Sequence, residues 1–468
     1  VKALHTLLNT GLMALAALAA LAAAPGIAQA QNASNCAWPL TLSPFGTGNY
    51  LAPDDLARYW AMPFPKAYRT MRIQGRFPNA RYFSFVVYDG DAAGRPLATA
   101  GSRNDTTITP DSTGPGATFT VNVSRDAGLA GGVNGIPVAA NDAWVVLRIY
   151  VPAPDPTLSG HAASGSVPLP TLTLDNGAPL VACPVPSAVD GQAWHPVRSA
   201  NKLEDLRAFM QLLFPSGFDI NQPLDFDQFV TGRLWFAPPR VPPMLLFPNP
   251  DNKYVLATPG LYQKGRALVI RARAPTTAGD AAGPGRGRSA GHTQRAEPEL
   301  RYWSLCNNDF ALPIPSVRCV SDVDAKVEGG YFTIVVSDDV VRPEWLRPGL
   351  NWLPWGDPQF PKLLFFRHLM ASEGFKYSAQ QVSKGCPASC AHPEAVFDFT
   401  LPDLPRRATI DAAGPAVQRL MGEYYPVSAW CDKSVLERGG WQACLRRQRL
   451  LASVAARTQE NPATGCGT

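Results

Sequence analysis

RYFSFVVYD (residues 81–89) and RYWSLCNND (residues 301–309) are the two stretches that decide the fold. Placed side by side without a gap, Arg81 meets Arg301, Tyr82 meets Tyr302, Ser84 meets Ser304 and Asp89 meets Asp309, at an offset of 301 − 81 = 220. Three further blocks recur in the same order. FTVNVSRD (119–126) answers FTIVVSDD (332–339) at 213, and Arg148 of AWVVLRIYV answers Arg367 of LLFFRHLM at 219. MRIQGRFP (71–78) answers LVIRARAP (268–275) at 197. Constant order at nearly constant spacing marks an internal duplication. The jump from 197 to 220 locates one insertion, residues 276–300, where the first copy has only Asn79 and Ala80. Its Gly, Arg, Thr and Ala content cannot build a core, so it reads as a mobile surface loop.

Each block has the two-residue period of a strand. In the first, Arg81, Phe83, Phe85, Val87 and Asp89 share one face, while Tyr82, Ser84, Val86 and Tyr88 share the other. Bulky groups on both faces suit a strand packed between layers. Proline and glycine are abundant (46 and 39), only 17% of residues are charged, and turn pairs such as Asp89-Gly90 and Asn176-Gly177 punctuate the runs. The expected fold is mainly β, with two duplicated β-sandwich or jelly-roll-like domains and a few short helices. The domains are expected over 31–183 and 233–404. A linker, 184–232, carries a helical pattern over Asn201–Phe214, and a C-terminal extension, 405–468, carries another over Trp441–Arg457.

The first 30 residues run from a charged start through an apolar stretch to Ala28-Gln29-Ala30, the pattern of a cleaved signal peptide. That leaves 468 − 30 = 438 residues, with no later segment apolar enough to span a bilayer. The expected location is secreted or periplasmic. In such a compartment cysteines read as disulfides: Cys36 with Cys183, Cys306 with Cys319, and Cys431 with Cys444 are the natural pairs, with Cys466 left over. The net charge of +5 is spread along the chain and forms no basic stripe, so nucleic acid is discounted as a partner.

Arg148 and Arg367 stand in the middle of two apolar strands. Recurrence in both copies points to a device of the fold, a guanidinium paired with carboxylates or carbonyls while its stem packs among apolar groups. Asp89 and Asp309 are the expected partners. At Asn351-Trp352-Leu353-Pro354, Phe360, Phe366-Arg367 and Tyr302 to Leu305, the chain resembles a bacterial tandem family of domains of unknown function, numbered twelve fifty-four and twelve fourteen. The resemblance covers roughly 330 residues and implies two packed β-domains, with no chemistry attached. Leu369 stands where the family has a tyrosine, and the cysteines and the long Gly/Arg loop also depart from its pattern.

No G-x-S-x-G elbow is present, and no cofactor is expected. Cys386, Cys390 and His392 in CPASCAH are candidate soft ligands for Cu(I) or zinc, with a disulfide between the two thiols as the alternative. The neighbouring carboxylates Asp54-Asp55 and Asp338-Asp339 read as solvated turn or helix-start residues. Trp345, Trp352 and Trp355 crowd one proline-rich loop, as Trp235 and Phe236 precede another. Such aromatics form either packing under loops or a binding platform. The leading expectation is therefore a small or polymeric ligand bound between the repeats. Arg81, Asp89, Arg301, Asp309, Arg367, His368, Trp352 and Trp355 are the residues to examine. The alternative is an exported hydrolase, which requires His368 or His195 within hydrogen-bond reach of a carboxylate.

Overall fold

The computed structural model describes residues 36–42, 49, 51–90, 96–114, 116–152, 169–175, 177–183, 234–238, 247–277, 297–310, 314–385 and 407–445. The expected helix over 201–214, the interior of the 276–300 insertion and the CPASCAH segment lie outside these residues. So does the expected helix beyond residue 445, although 433–445 is helical.

The first half contributes β1 (Leu40–Leu42), β2 (Ala57–Phe64), β3 (Thr70–Arg76), β4 (Ala80–Gly90), β5 (Pro96–Asn104), β6 (Thr118–Ser124), β7 (Gly135–Pro137), β8 (Ala143–Pro152), β9 (Thr171–Leu174) and β10 (Pro179–Leu180). They form two sheets, ordered β1-β2-β8-β4-β5 and β10-β9-β3-β6-β7. The second half contributes β11 (Asn252–Gly260), β12 (Arg266–Arg273), β13 (Leu300–Asp309), β14 (Ser316–Ser321), β15 (Val327–Glu328), β16 (Tyr331–Ser337), β17 (Asn351–Pro354), β18 (Lys362–Ala371) and β19 (Val427–Asp432). Its sheets are β11-β18-β13-β14 and β15-β16-β12-β19, with β17 also paired to β16. Two short helices, α1 (Ala379–Gly385) and α2 (Arg407–Met421), flank the second sandwich.

The order β2-β8-β4-β5 thus repeats as β11-β18-β13-β14, and β9-β3-β6-β7 repeats as β19-β12-β16-β17. Even the exception recurs, since β6/β7 and β16/β17 are the parallel pairs of the two halves. Ser84 lies opposite Arg148 just as Ser304 lies opposite Arg367. β19 comes from the segment expected as a separate C-terminal extension; it pairs with β12 and completes the second sandwich as β9 completes the first. The strand alternation holds: Phe83, Phe85 and Val87 enter the first core with Ile73, Phe119 and Val121, while Trp303, Leu305, Phe332 and Phe366 share the second.

The asparagine of the NWLP turn has a twin. Asn351 donates to Lys326 O and Thr333 O and accepts from the Lys326 backbone N–H. Asn134, in Asn134-Gly135-Ile136-Pro137, does the same with Thr109 O, Thr120 O and the Thr109 N–H. Both are buried, so the amide satisfies three backbone groups at a site closed to water.

The two sandwiches meet through the outer faces of β2-β8-β4 and β18-β13. Ala57, Tyr82, Tyr150, Tyr302 and Leu369 fill the centre, with Tyr150 and Tyr302 edge to face at 5.4 Å. At one rim, Arg81 pairs with Asp322 and Arg301 with Asp105, and Arg301 Nε also donates to Arg81 O at 2.7 Å. Asp105 and Asp322 follow the equivalent strands β5 and β14, so these ion pairs are one contact made twice, each half supplying an arginine and an aspartate. Such reciprocity is what an approximate two-fold axis between like units produces.

Deeper in, the pattern repeats. Arg367 Nη2 donates to Ala52 O at 2.5 Å, and Arg148 Nη2 donates to Phe247 O, with 247 − 52 = 195. Ala52 and Phe247 have φ of 52° and 47°, the left-handed region that non-glycine residues adopt only when surroundings hold them there. Asp54 accepts from the Leu56 N–H and Asn249 from the Asp251 N–H, the same turn in both halves. Asp54 is fully buried. Its Oδ1 accepts from Tyr302 Oη at 2.7 Å, its Oδ2 accepts from Ser304 Oγ, and Oδ2 lies 3.6 Å from Arg367 Nη1.

Removing that carboxylate strands a buried guanidinium. Asp54→Ala is expected to destabilise the protein by about 3–5 kcal/mol. Asp54→Asn, which copies the Asn249 of the twin turn, is expected to cost clearly less, about 1–3 kcal/mol. Urea unfolding of the three proteins reads both values.

Candidate functional site

The residues singled out from sequence divide into those the fold consumes and those it gathers at one end. Arg81 and Arg301 belong to the rim ion pairs. Arg367 and Arg148 are fold devices as expected, but their partners differ from the expected ones. Asp309 bonds Lys362, and Asp89 accepts from the Ala139 N–H at 2.7 Å. The reason is strand alternation. Arg367 sits opposite Ser304 and shares its face, whereas Asp309 points the other way with Trp303 and Leu305. The carboxylate beside Arg367 therefore comes from Asp54, in the other half. Asp54 and Asp55 are correspondingly buried at the interface and not solvated. Asp55 accepts from the Cys319 N–H at 2.9 Å and lies 3.4 Å from Arg318 Nε.

All three expected disulfides are present: Cys36–Cys183, Cys306–Cys319 and Cys431–Cys444. Asp54, Cys306 and Cys319 lie close enough to resemble a ligand set, but the two sulfurs are bonded to each other and offer no thiolate. Cys386, Cys390 and His392 lie outside the described residues, as does His195.

His368 takes the place of Ile149 in the first half and is wholly buried. Its Nδ1 accepts from the Ala379 N–H at 3.0 Å, its ring meets Phe366 edge-on at 4.5 Å, and no hydrogen bond from the described residues reaches Nε2. Among the described residues no carboxylate bonds it.

The two halves serve as controls for each other. Where scaffold alone is needed, the first half shows what suffices; extra chemistry in the second stands out. β17 pairs with β16 as β7 pairs with β6, which sets Trp352 where Gly135 stands and Trp355 where Val138 stands. The backbone is retained, since Val138 N–H bonds Ser124 O and Trp355 N–H bonds Ser337 O. By the same registers Trp430 replaces Leu174, Lys362 replaces Ala143 and Asn307 replaces Val87.

These replacements are neighbours. Trp355 lies 5.3 Å from Trp430 and 5.4 Å from Tyr262, and Lys362 Nζ is 5.4 Å from the Trp355 ring. Lys362 Nζ bonds Asp309 and the Asp357 carbonyl. Asn307 donates to Pro354 O and Trp355 O at 2.8 and 3.0 Å. Its Oδ1 and the indole N–H groups of Trp355 and Trp430 are buried without a hydrogen-bond partner among the described residues. Outward of this cluster, Trp352 Nε1 donates to Ser337 Oγ, which donates to Asp339, and Lys433 bridges Asp338 and Asp339 beneath Trp345. Leu261, Val340 and Val341 rim the same loops at 48, 71 and 74% exposure. Trp345 and Trp352 are half-buried, whereas Trp355 is packed inside. Tyr262, Asn307, Lys362 and Trp430 escape single-residue inspection of the sequence; substitution against the sister repeat is the signal that finds the last three, and Tyr262 is placed by its ring contacts with Trp355 and Trp430.

Two buried groups set opposite pH responses. Burial pushes Asp55 up to about 7, against the pull of Arg318, from an ordinary 3.8. Burial holds His368 down to about 3, from 6.5. The Asp55 contribution to stability is complete below pH 3.8 and is lost as pH rises to about 7. The His368 contribution is complete above pH 6.5 and is lost as pH falls toward 3. His368→Asn keeps an acceptor for Ala379 and removes the second slope. At pH 4 it is expected to relieve on the order of 3 kcal/mol of acid destabilisation relative to pH 7. Stability is then expected to fall with rising pH between 4 and 7. Denaturant titrations across that range measure it.

No family model matches the chain, and no curated protein matches it. Among solved structures, it is similar to an uncharacterized protein from Burkholderia cenocepacia, at 16% identity and a TM-score of 0.46, covering 72% of this chain and 79% of that one. It is also similar to a protein from Vibrio parahaemolyticus, at 12% identity and a TM-score of 0.35, covering 72% and 89%.

Proposed function

We propose that this chain is an exported two-domain β-protein that binds a ligand without breaking bonds in it, through the aromatic loop end of its second sandwich. The observation that carries the reading is the set of replacements against the sister repeat. On a backbone kept the same, Trp352, Trp355 and Trp430 stand for Gly135, Val138 and Leu174. A scaffold that needed only packing has Val138 and Leu174 as its solution. Three disulfides support an oxidising compartment, and no helix among the described residues is long and apolar enough to cross a membrane.

The chemistry favours a polyhydroxylated ligand. Aromatic faces take the C–H side of a sugar ring, and the flanking Asp338, Asp339 and Lys433 offer charged acceptors and donors for its hydroxyls. Loops at the end of a sandwich are the part of such a fold free to specialise. The inter-repeat face is a poorer place for a ligand, because Tyr82, Tyr150, Tyr302 and Leu369 already fill its centre.

Titration with neutral glucose and N-acetylglucosamine oligomers, read by tryptophan fluorescence, tests the reading. A saturable change in emission is expected with one class of oligomer, weakened about tenfold or more by Tyr262→Ala or Trp345→Ala. Absence of any saturable response, or a response untouched by both variants, counts against it.

A further inference from the structure

The twin arginines are unequally neutralised. Arg367 Nη2 bonds the Ala52 carbonyl while its Nη1 faces the Asp54 carboxylate at 3.6 Å and Cys306 Sγ at 2.6 Å. Ser304 Oγ donates to the same carboxylate oxygen, Asp54 Oδ2. In the other cluster Arg148 Nη2 bonds the Phe247 carbonyl and the Tyr88 hydroxyl. At the equivalent positions Asp54 becomes Asn249 and Cys306 becomes Val86. Arg148 Nη1 has no hydrogen-bond partner among the described residues, and neither has Ser84 Oγ, whose influence falls on the Tyr82 phenol. Arg148 is 3% exposed, Asn249 2% and Ser84 not at all.

The orientation of Asn249 sharpens the contrast. Its Oδ1 accepts from the Asp251 N–H at 3.1 Å, as Asp54 Oδ1 accepts from the Leu56 N–H. The remaining atom, which in Asp54 is the oxygen facing Arg367, is therefore an amide nitrogen, and it donates to Tyr82 Oη at 3.0 Å. Asp251 is occupied by Tyr82 Oη and Asn104 Nδ2, both at 2.8 Å. Of the two donors that share a carboxylate oxygen in one half, Arg148 Nη1 lacks any acceptor among the described residues in the other, and Ser84 Oγ has only the Tyr82 phenol beside it. A buried guanidinium without a counter-charge is costly, and water can hydrogen-bond it without neutralising it.

We propose that a small monovalent anion of chloride size binds between Arg148 Nη1 and Ser84 Oγ, against the Asn249 amide nitrogen that stands where the Asp54 oxygen faces Arg367 in the twin cluster. The ion supplies the charge that the second half builds in covalently, and it locks the same inter-domain turn, 247–249, that Arg148 already grips. Because it binds the closed interface and not the unfolded chain, it stabilises the protein by mass action.

The test compares thermal unfolding in sodium chloride and sodium gluconate at equal ionic strength, using the full chain. Replacing gluconate by 100 mM chloride is expected to raise Tm by about 3 °C or more. Bromide should act alike and give an anomalous scattering peak within bonding distance of Arg148 Nη1 in crystals. Asn249→Asp, which restores the built-in carboxylate, is expected to abolish the chloride response; it keeps the proposal open to refutation should Arg148→Met fail to fold. Equal Tm in the two salts, bromide found only at the surface, or a chloride response that survives in Asn249→Asp would each overturn the assignment.

Discussion

A guanidinium buried in each sandwich bonds a backbone carbonyl of the other. Arg367 of the second half holds Ala52 O, and Arg148 of the first holds Phe247 O. Neither half can bury its arginine alone, because a charged donor closed off from water without acceptors costs more than the packing of its stem returns. The requirement propagates outward. It forces Ala52 and Phe247 into left-handed backbone, and it brings Asp54 over β13. It also sets the two sheets in the register at which Arg81 and Arg301 exchange aspartates. Val151 and Met370, at φ of 46° and 48°, adopt the same uncommon conformation at equivalent places, where Val151 bonds Leu56 O and Met370 bonds Asp251 O. A β-branched residue held there is a sign that the interface fixes the chain, not the reverse.

Duplication gives the molecule a division of labour. The inter-domain face keeps its polar devices in both copies, as expected of parts that hold the halves together. The loop end of the second sandwich does not. There Gly135, Val138, Leu174, Ala143 and Val87 give way to Trp352, Trp355, Trp430, Lys362 and Asn307. Groups that cost desolvation or demand room are retained on a scaffold whose sister dispenses with them, which is the physical argument for a role beyond folding.

Much of the fold was legible because the blocks that recur are interior strands. The alternation in 81–89 groups Phe83, Phe85 and Val87 as the core does, and the cysteine pairs follow from spacing and the expected export. The partner of Arg367 was not legible. Asp54 lies in a segment whose twin, Asn249, follows at an offset of 195 with only Leu51/Leu246, Pro53/Pro248 and Tyr59/Tyr254 in common nearby. Backbone carbonyls and turn shape carry the equivalence there, and these leave almost no trace in residue identity. β19 is hidden for a related reason: VSAWCD shares no residue pattern with TLTL, although both cover the same edge of β12 and β3. The NWLP asparagine stands out as part of a signature, while its twin in Asn134-Gly135-Ile136-Pro137 is masked because Gly135 hides the resemblance to Trp352. The same masking concealed the aromatic cluster, whose members come from five separate segments.

If each half completes the burial of the other, the two cannot melt independently. Differential scanning calorimetry of the full chain is the direct measurement. A single transition whose calorimetric and van't Hoff enthalpies agree is the expected result. Two resolved transitions, or a calorimetric enthalpy about twice the van't Hoff value, would mean that the sandwiches fold separately and that the reciprocal arginines do not govern the structure.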